Sequence, residues 1–346
     1  MPSVEASNNP AIFVTGGTGF IGAYLLRALL NKGYTQIRAL RRSNSPMDLV
    51  ADFQDRIEWV EGDLLDTHRI DQYLREQTWV FHAAAMVSFD PRDRRQMRAI
   101  NVDGTANLVN LSLLNDISKF LHVSSIAAIG RPEEVRPINE AEKWERNKKN
   151  SQYAISKYQA EMEVWRGMAE GLKVAIVNPS VVIGSGYWDR GTARFFRMLS
   201  QGYPFYPLGA TGFVDVRDVA DFSIALMESP IQDQRFILNG VNWSYQQFFQ
   251  TISEALEVKP PRYIARPWMG NLLWRLEWVR ARLFGATPLL TRESARSAQS
   301  SWEFINDRSR QALNFTYRPL EQTIRETAAL WREAEAQGEK PMLLEE

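Results

Sequence analysis

Residues 11–30 confine this stretch of the chain to one arrangement: a strand, a tight glycine turn and a helix. The apolar run Ala11-Ile12-Phe13-Val14 leads into Thr15-Gly16-Gly17-Thr18-Gly19-Phe20-Ile21-Gly22, and Ala23 to Leu30 is a good helix former. In that setting Gly16 and Gly19 permit backbone angles and close approaches that a β-carbon forbids, while Gly22 lets the helix pack against the strand. Exposed amides at the helix N-terminus then attract a pyrophosphate. The turn therefore points to a bound dinucleotide. The plainer alternative, a strand–helix turn without a ligand, is less favoured because the context fits on both sides.

The alternation begun there continues. Short apolar runs at Ile12–Thr15, Gln36–Leu40, Ile57–Glu61, Trp79–Ala83, Lys119–Ser124 and Lys173–Asn178 are predicted strands, with helical patterns between most pairs. That pattern predicts an α/β fold, a doubly wound parallel sheet with helices on both faces. In such sheets ligands bind at the carboxyl ends of the strands. The glycine turn, Gly62-Asp63, His82-Ala83-Ala84-Ala85, Ser124-Ser125 and Asn178-Pro179 all fall at such ends. After about residue 180 Gly, Pro and aromatic residues cluster, Arg235–Leu238 is a further strand, and the chain beyond Ser244 is mainly helical. The expected division is a frayed tail at 1–9, a dinucleotide-binding domain at 10–180 to which 213–240 returns, and a mostly helical, partly discontinuous substrate-binding cap at 181–212 and 241–335. A second frayed tail is expected at 336–346.

Composition removes several function classes. Lys plus Arg and Asp plus Glu number 41 each, so no global charge draws the chain to nucleic acid or to an anionic membrane. Zero cysteine excludes disulfides, thiol catalysis and thiolate metal sites, and three spread histidines (His68, His82, His122) suggest no metal centre. The polar first nine residues lack the apolar core of a signal peptide, and no run of about 18 apolar residues predicts a membrane span. A cytoplasmic location is expected. Trp268 to Phe284 is dense in Trp, Leu and Phe, interrupted by Arg275, Glu277, Arg280 and Arg282. It is read as cap core or a homodimer face in preference to a helix touching a membrane or lining an apolar substrate entrance.

Tyr153 and Lys157, four residues apart in a helical segment, share one face. A phenol titrates near pH 10, and a nearby ammonium favours its phenolate and eases proton transfer at neutrality. Alone, such spacing arises easily by chance. It gains meaning from Leu121-His122-Val123-Ser124-Ser125, which ends an apolar strand and places hydroxyls at the same edge of the sheet. Turn formation or helix capping is the plain reading of those serines; beside the Tyr/Lys pair and the glycine turn, a substrate contact is preferred.

Together the glycine turn, Gly62-Asp63-Leu64, His82-Ala83-Ala84, Asn101-Val102-Asp103-Gly104-Thr105, Val123-Ser124-Ser125, Tyr153…Lys157 and Asn178-Pro179-Ser180 resemble the extended short-chain dehydrogenase/reductase family. The ordered set covers residues 11 to about 240. The resemblance implies a Rossmann-type sheet with a C-terminal cap, and Ser125, Tyr153 and Lys157 as the catalytic trio. It implies that Gly16, Gly19, Phe20, Ile21 and Gly22 hold the cofactor phosphates, that Asp63 and Leu64 flank the adenine, and that Ala83, Ala84 and Asn101 line the central cofactor path. Pro179 would lie at the nicotinamide, with Tyr153 and Lys157 also touching the cofactor and Ser124 serving the cofactor or the strand end. The second strand ends Arg41-Arg42-Ser43, with no acid before Asp48. A carboxylate there would repel a 2′-phosphate, whereas guanidinium groups pair with it, so NADP(H) is favoured over NAD(H).

The family hosts reductases, sugar-nucleotide epimerases and dehydratases. Dehydratases usually carry Thr-Asp-Glu where this chain has Ser125-Ile126-Ala127, and epimerases commonly show Asn-x-Tyr-Gly-Pro where it has Asn178-Pro179-Ser180-Val181-Val182. That texture resembles dihydroflavonol-4-reductase and 3β-hydroxysteroid dehydrogenase relatives. Val87 and Phe89 on one side, with Tyr187, Trp188, Phe205, Tyr206 and Phe213 on the other, are candidate walls of an apolar cleft. The expected activity is an NADP(H)-dependent oxidoreductase acting on a hydrophobic ketone or secondary alcohol. An epimerase with retained NAD and a non-catalytic dinucleotide-binding protein are the alternatives.

Overall fold

A computed structural model describes residues 9–132, 136–145, 150–266 and 298–345. Its twelve strands are β1 (Ile12–Thr15), β2 (Ile37–Arg41), β3 (Glu58–Glu61), β4 (Trp79–His82), β5 (Lys119–Val123), β6 (Val174–Pro179), β7 (Val181–Ile183), β8 (Phe205–Tyr206), β9 (Ala210–Asp215), β10 (Gln234–Leu238), β11 (Val241–Ser244) and β12 (Tyr263–Ile264). The described α-helices are α1 (Phe20–Asn31), α2 (Thr67–Leu74), α3 (Arg94–Arg98), α4 (Gly104–Leu114), α5 (Gln152–Ala169), α6 (Arg194–Ser200), α7 (Val216–Glu228), α8 (Tyr245–Ala255), α9 (Asp307–Leu313) and α10 (Leu320–Ala336).

Seven strands form one sheet in the order β10-β6-β5-β4-β1-β2-β3, and every pairing in it is parallel. Its central strands are apolar at successive positions because both faces are covered; β1 and β5 are buried throughout. On one face Val14, Leu121 and Val177 pack with α1 and α7. On the other, Phe13, Phe120 and Ile176 pack with residues of α2, α4 and α5. The strand order reverses between β1 and β4, which opens a crevice at their carboxyl ends. The glycine turn sits in that crevice.

The cap has a core of its own. Trp188, Phe196, Phe213, Phe248, Ile324 and Trp331 are buried together, with the rings of Trp188 and Trp331 edge to face at 5.2 Å. Trp188 and Phe213, expected to line the substrate cleft, are therefore core residues; Phe213 stacks on Phe248 with centroids 4.4 Å apart. Ion pairs tie the start of α7 to α10 and its approach. Arg217 bridges Asp215 and Glu326, both at 2.6 Å, and Arg318 holds Asp218 at 2.6 Å. The segment Trp268 to Phe284 lies outside the described residues, as do 1–8.

Residues 340–345 do not fray. The Leu344 side chain is buried against α1 and its amide donates to Tyr24 Oη at 2.7 Å, while Arg27 donates to its carbonyl. Trp188 Nε1 donates to the Lys340 carbonyl at 3.1 Å, and Arg217 donates to that of Glu345 at 2.7 Å. The tail expected there rested only on the general tendency of chain ends to fray. Leu344→Ala should cost about 2–4 kcal/mol of stability, as for other buried leucines. Urea denaturation checks this; a loss under about 0.5 kcal/mol, typical of surface sites, would show the segment to be a loose tail after all.

Candidate active site

Helix α5 presents Tyr153, Lys157 and Glu161 at intervals of four residues, and Ser151 caps its start by accepting from the Ala154 amide at 3.0 Å. Across from it, β5 ends and Ser125 begins a short 3-10 turn, Ile126–Ala128, its hydroxyl accepting from the Ala127 amide at 3.1 Å. The same side chain faces the Tyr153 phenol closely enough to favour its ionised form. Phe89 meets the Tyr153 ring edge-on, 5.9 Å between centroids. A serine, a phenol and an apolar wall thus converge at the carboxyl edge of the sheet.

The electrostatics differ from the sequence expectation. Burial pushes the Tyr153 phenol above its ordinary value, opposed in part by the Ser125 side chain. Lys157 is buried, and desolvation brings its ammonium down to about 8, against the favourable field of Glu161. Its Nζ donates to the Val123 carbonyl at 2.9 Å and lies 3.5 Å from His122 Nε2. At Lys157 desolvation outweighs the field of Glu161 because the ammonium is buried under the sheet edge. The phenol is therefore a proton donor at neutral pH.

Two residues expected at the cofactor, Asn101 and Ser124, also make internal hydrogen bonds. Asn101 lies in a wider π-type turn, Ala99–Asp103, that leads into α4. Its side chain accepts from the Met86 amide at 2.7 Å and donates to the Met86 carbonyl at 2.9 Å and Ser156 Oγ at 3.0 Å. Ser156 in turn donates to the Tyr153 carbonyl. Ser124 donates its hydroxyl to Glu161 Oε2 at 2.8 Å, so it serves the strand end. His82, which sequence reasoning noted only as a strand end, extends these hydrogen bonds. Thr105 donates to the Asn101 carbonyl at 2.6 Å, which leaves its oxygen to accept from His82 Nε2 at 2.8 Å. His82 Nδ1 then accepts from Thr15 Oγ1 at 2.7 Å. Burial pulls this imidazole down to about 3, and it stays neutral. One hydrogen-bonded chain thereby runs from the strand before the glycine turn to the backbone of Tyr153.

The turn itself has the shape of a phosphate cradle. Gly16 has φ +75°, and a β-carbon there would stand 2.6 Å from the Ala84 amide nitrogen. A β-carbon on Gly22 would overlap the Gly16 carbonyl oxygen. Gly19 caps α1 without any side-chain hydrogen bond, leaving the first amides of Phe20, Ile21 and Gly22 open to an anion. The Phe20 ring packs against Gly184 and Gly186, which joins the turn to the chain following β7. Asp63 bends the chain after β3 by accepting from the Leu65 amide at 2.9 Å, and Leu64 is buried beneath it. Ala83 and Ala84 back directly on Gly16. Arg41 lies 3.8 Å from Glu61, whereas the exposed Arg42 guanidinium has no ion-pair partner among the described residues.

The remaining pocket candidates separate. Val87 is exposed, two residues before Phe89. Tyr187 donates to Asp48 Oδ2 at 3.2 Å with Arg190 over its ring, which fastens it to the loop after β2. Phe205 belongs to the small β8–β12 ribbon, its ring 5.9 Å from that of Tyr263. Described contacts join neither of them to Phe89 or Tyr153. Among the described residues no group of three His, Asp or Glu side chains is placed to hold a metal, and no helix is long and apolar enough to cross a membrane.

Residues 12–239 match the family model described as the NAD dependent epimerase/dehydratase family. The chain belongs to this family. It is an enzyme of the extended short-chain dehydrogenase/reductase type, and its glycine cradle fits the nicotinamide dinucleotide that the family binds. A Synechocystis protein provisionally named dihydroflavonol 4-reductase is 31% identical over 321 residues, 90% of this chain and 92% of its own length. Sterol demethylase protein B of Methylococcus capsulatus is 29% identical, over 92% of this chain and 98% of its own. The crystal structure of gox2253 superposes with a TM-score of 0.80 at 28% identity, covering 96% of this chain and 99% of that one.

Proposed function

We propose that this family member interconverts a hydrophobic ketone and its secondary alcohol with NADP(H). The observation that carries the reading is the convergence of the Ser125 side chain and the Tyr153 phenol beside the edge-on Phe89 ring. When bound, the nicotinamide supplies or accepts the hydride. In carbonyl reduction Tyr153 gives its phenolic proton to the substrate oxygen, which Ser125 holds in place. Lys157, one helical turn away, supports the phenolate left behind. The oxidative direction runs the same proton back to Tyr153.

Removal of water needs a further acid/base pair, and where dehydratases carry the two carboxylates this chain has apolar Ile126 and Ala127. This favours redox chemistry over dehydration. A panel of aromatic, steroid-like and β-keto substrates tests the reading. Stoichiometric oxidation of added NADPH is expected. Purified protein that retains NAD and consumes no added cofactor would instead make it an epimerase.

Arg42 is proposed as the 2′-phosphate ligand, since Arg41 is turned toward Glu61. Arg42→Ala should raise the NADPH Kd about tenfold to a hundredfold, the equivalent of ~1.5–3 kcal/mol for a charge-assisted hydrogen bond. The NADH Kd should stay within about twofold. Titration of cofactor fluorescence measures both; equal losses for the two cofactors would remove the assignment.

A further inference from the structure

Two turns beyond Tyr153 on α5, a carboxylate that the reaction does not consume is buried without solvent exposure: Glu161. Its Oε2 accepts from Ser124 Oγ at 2.8 Å and from Asn178 Nδ2 at 2.9 Å, and its Oε1 accepts from the Arg235 guanidinium at 2.9 Å. Those partners come from the ends of β5 and β6 and from β10. Asn178 Nδ2 also donates to the Ser125 carbonyl at 3.0 Å. Arg235 is itself anchored by the Glu140 carbonyl at 2.6 Å and the Glu142 carbonyl at 3.1 Å. An anionic carboxylate satisfied on three sides is costly to bury unless each partner stays in place, so the cluster is rigid by construction.

We infer that Glu161 is a positioning residue that fixes the Ser125 backbone against α5 and holds Lys157 in its ammonium form. The first role follows from the connections: Ser124 and Asn178 grip the chain on both sides of the Ser125 peptide, and both are gripped by Glu161. The second follows from charge. The groups around Lys157 are Tyr153 and Glu161 on α5, His122 on β5 and His82 on β4. Burial keeps both imidazoles neutral. Glu161 is thus the negative charge that opposes desolvation of Lys157, and Arg235, which neutralises part of it, comes from the edge strand β10. This inference rests on the proposed Ser125, Tyr153 and Lys157 roles for its meaning in catalysis, although its electrostatic half concerns the protein alone.

The test measures the Lys157 titration directly, in full-length protein carrying 13C-labelled lysine side chains, with the resonance assigned by its loss in Lys157→Arg. Glu161→Gln keeps shape and one acceptor but removes the charge. The lysine midpoint should fall by about one pH unit, a tenfold change in proton affinity. Kinetically, kcat should drop about tenfold with the cofactor KM little changed. Ser124→Ala, which removes one tie and no charge, should lower kcat with the lysine midpoint unmoved; it also serves should Glu161→Gln fail to fold. An unmoved midpoint in Glu161→Gln overturns the charge role, and an unchanged kcat in Ser124→Ala overturns the positioning role. If the parent turns over no ketone, the catalytic reading falls while the midpoint shift still decides the inference about Lys157.

Discussion

Tyr153→Phe should lower kcat for ketone reduction about a thousandfold, within the range lost when a general acid is removed, while NADPH still binds with its parental affinity. Phe keeps the ring that packs edge-on against Phe89 at 5.9 Å, so the wall of the cleft survives and only the hydroxyl goes. Ser125 retains the Ala127 amide, so the short turn it caps should hold. The pH profile of the parent carries the complementary signature. Burial holds the phenol protonated at neutrality, so the donor is in place across the physiological range. Lys157 has its midpoint at about 8 and loses its charge above that. Deprotonation removes the cation that stabilises the phenolate, so kcat/KM for reduction should decline as pH rises through about 8. Steady-state rates between pH 6 and pH 10 check this. A variant that keeps most of its activity would show that another group carries the proton.

Much of this site is visible in the primary structure, for a physical reason. The strands at 12–15, 79–82 and 119–123 are brief apolar runs set between helix signals, and their carboxyl ends carry the residues with chemistry on them. Local pattern therefore places Ser125, Tyr153 and the glycine turn on one edge of the sheet. What local pattern cannot supply is direction. Aromatic density around residues 187–213 marks burial, yet nothing in it distinguishes a cleft wall from a core, and Trp188 and Phe213 belong to the core. Glu161 stands four residues after Lys157, a spacing open to inspection, but its partners Ser124, Asn178 and Arg235 arrive from three different strands. Charge on Lys157 predicts a more acidic Tyr153; in the three-dimensional packing burial raises the phenol instead, opposed only by the Ser125 side chain.

Gly22→Ala should abolish tight dinucleotide binding, the second large effect. The added methyl would overlap the Gly16 carbonyl oxygen and stand 2.7 Å from the Gly16 carbonyl carbon and 2.9 Å from Gly17 Cα. All three are backbone atoms, so no rotamer relieves the clash. The turn cannot recede freely either, because Gly16 is already against the Ala84 amide and its carbonyl accepts from the Gly19 amide at 2.9 Å. Helix α1 must therefore shift outward, and the open amides at its first turn move away from the phosphates they would hold. Alanine gains about 0.8–1 kcal/mol of helix propensity over glycine, whereas overpacking costs about 1–3 kcal/mol. The net loss of stability should be modest, near 1–2 kcal/mol on those two figures, while cofactor affinity falls a hundredfold or more, roughly 3 kcal/mol. Gly19→Ala is the contrast: that residue is exposed with ordinary extended angles, and its β-carbon would lie 3.2 Å from the nearest atom. It should fold and bind within about tenfold of the parent. Calorimetric titration with NADPH, paired with urea denaturation, separates lost binding from lost folding; undiminished affinity in Gly22→Ala would mean that the helix–turn contact does not build the phosphate site.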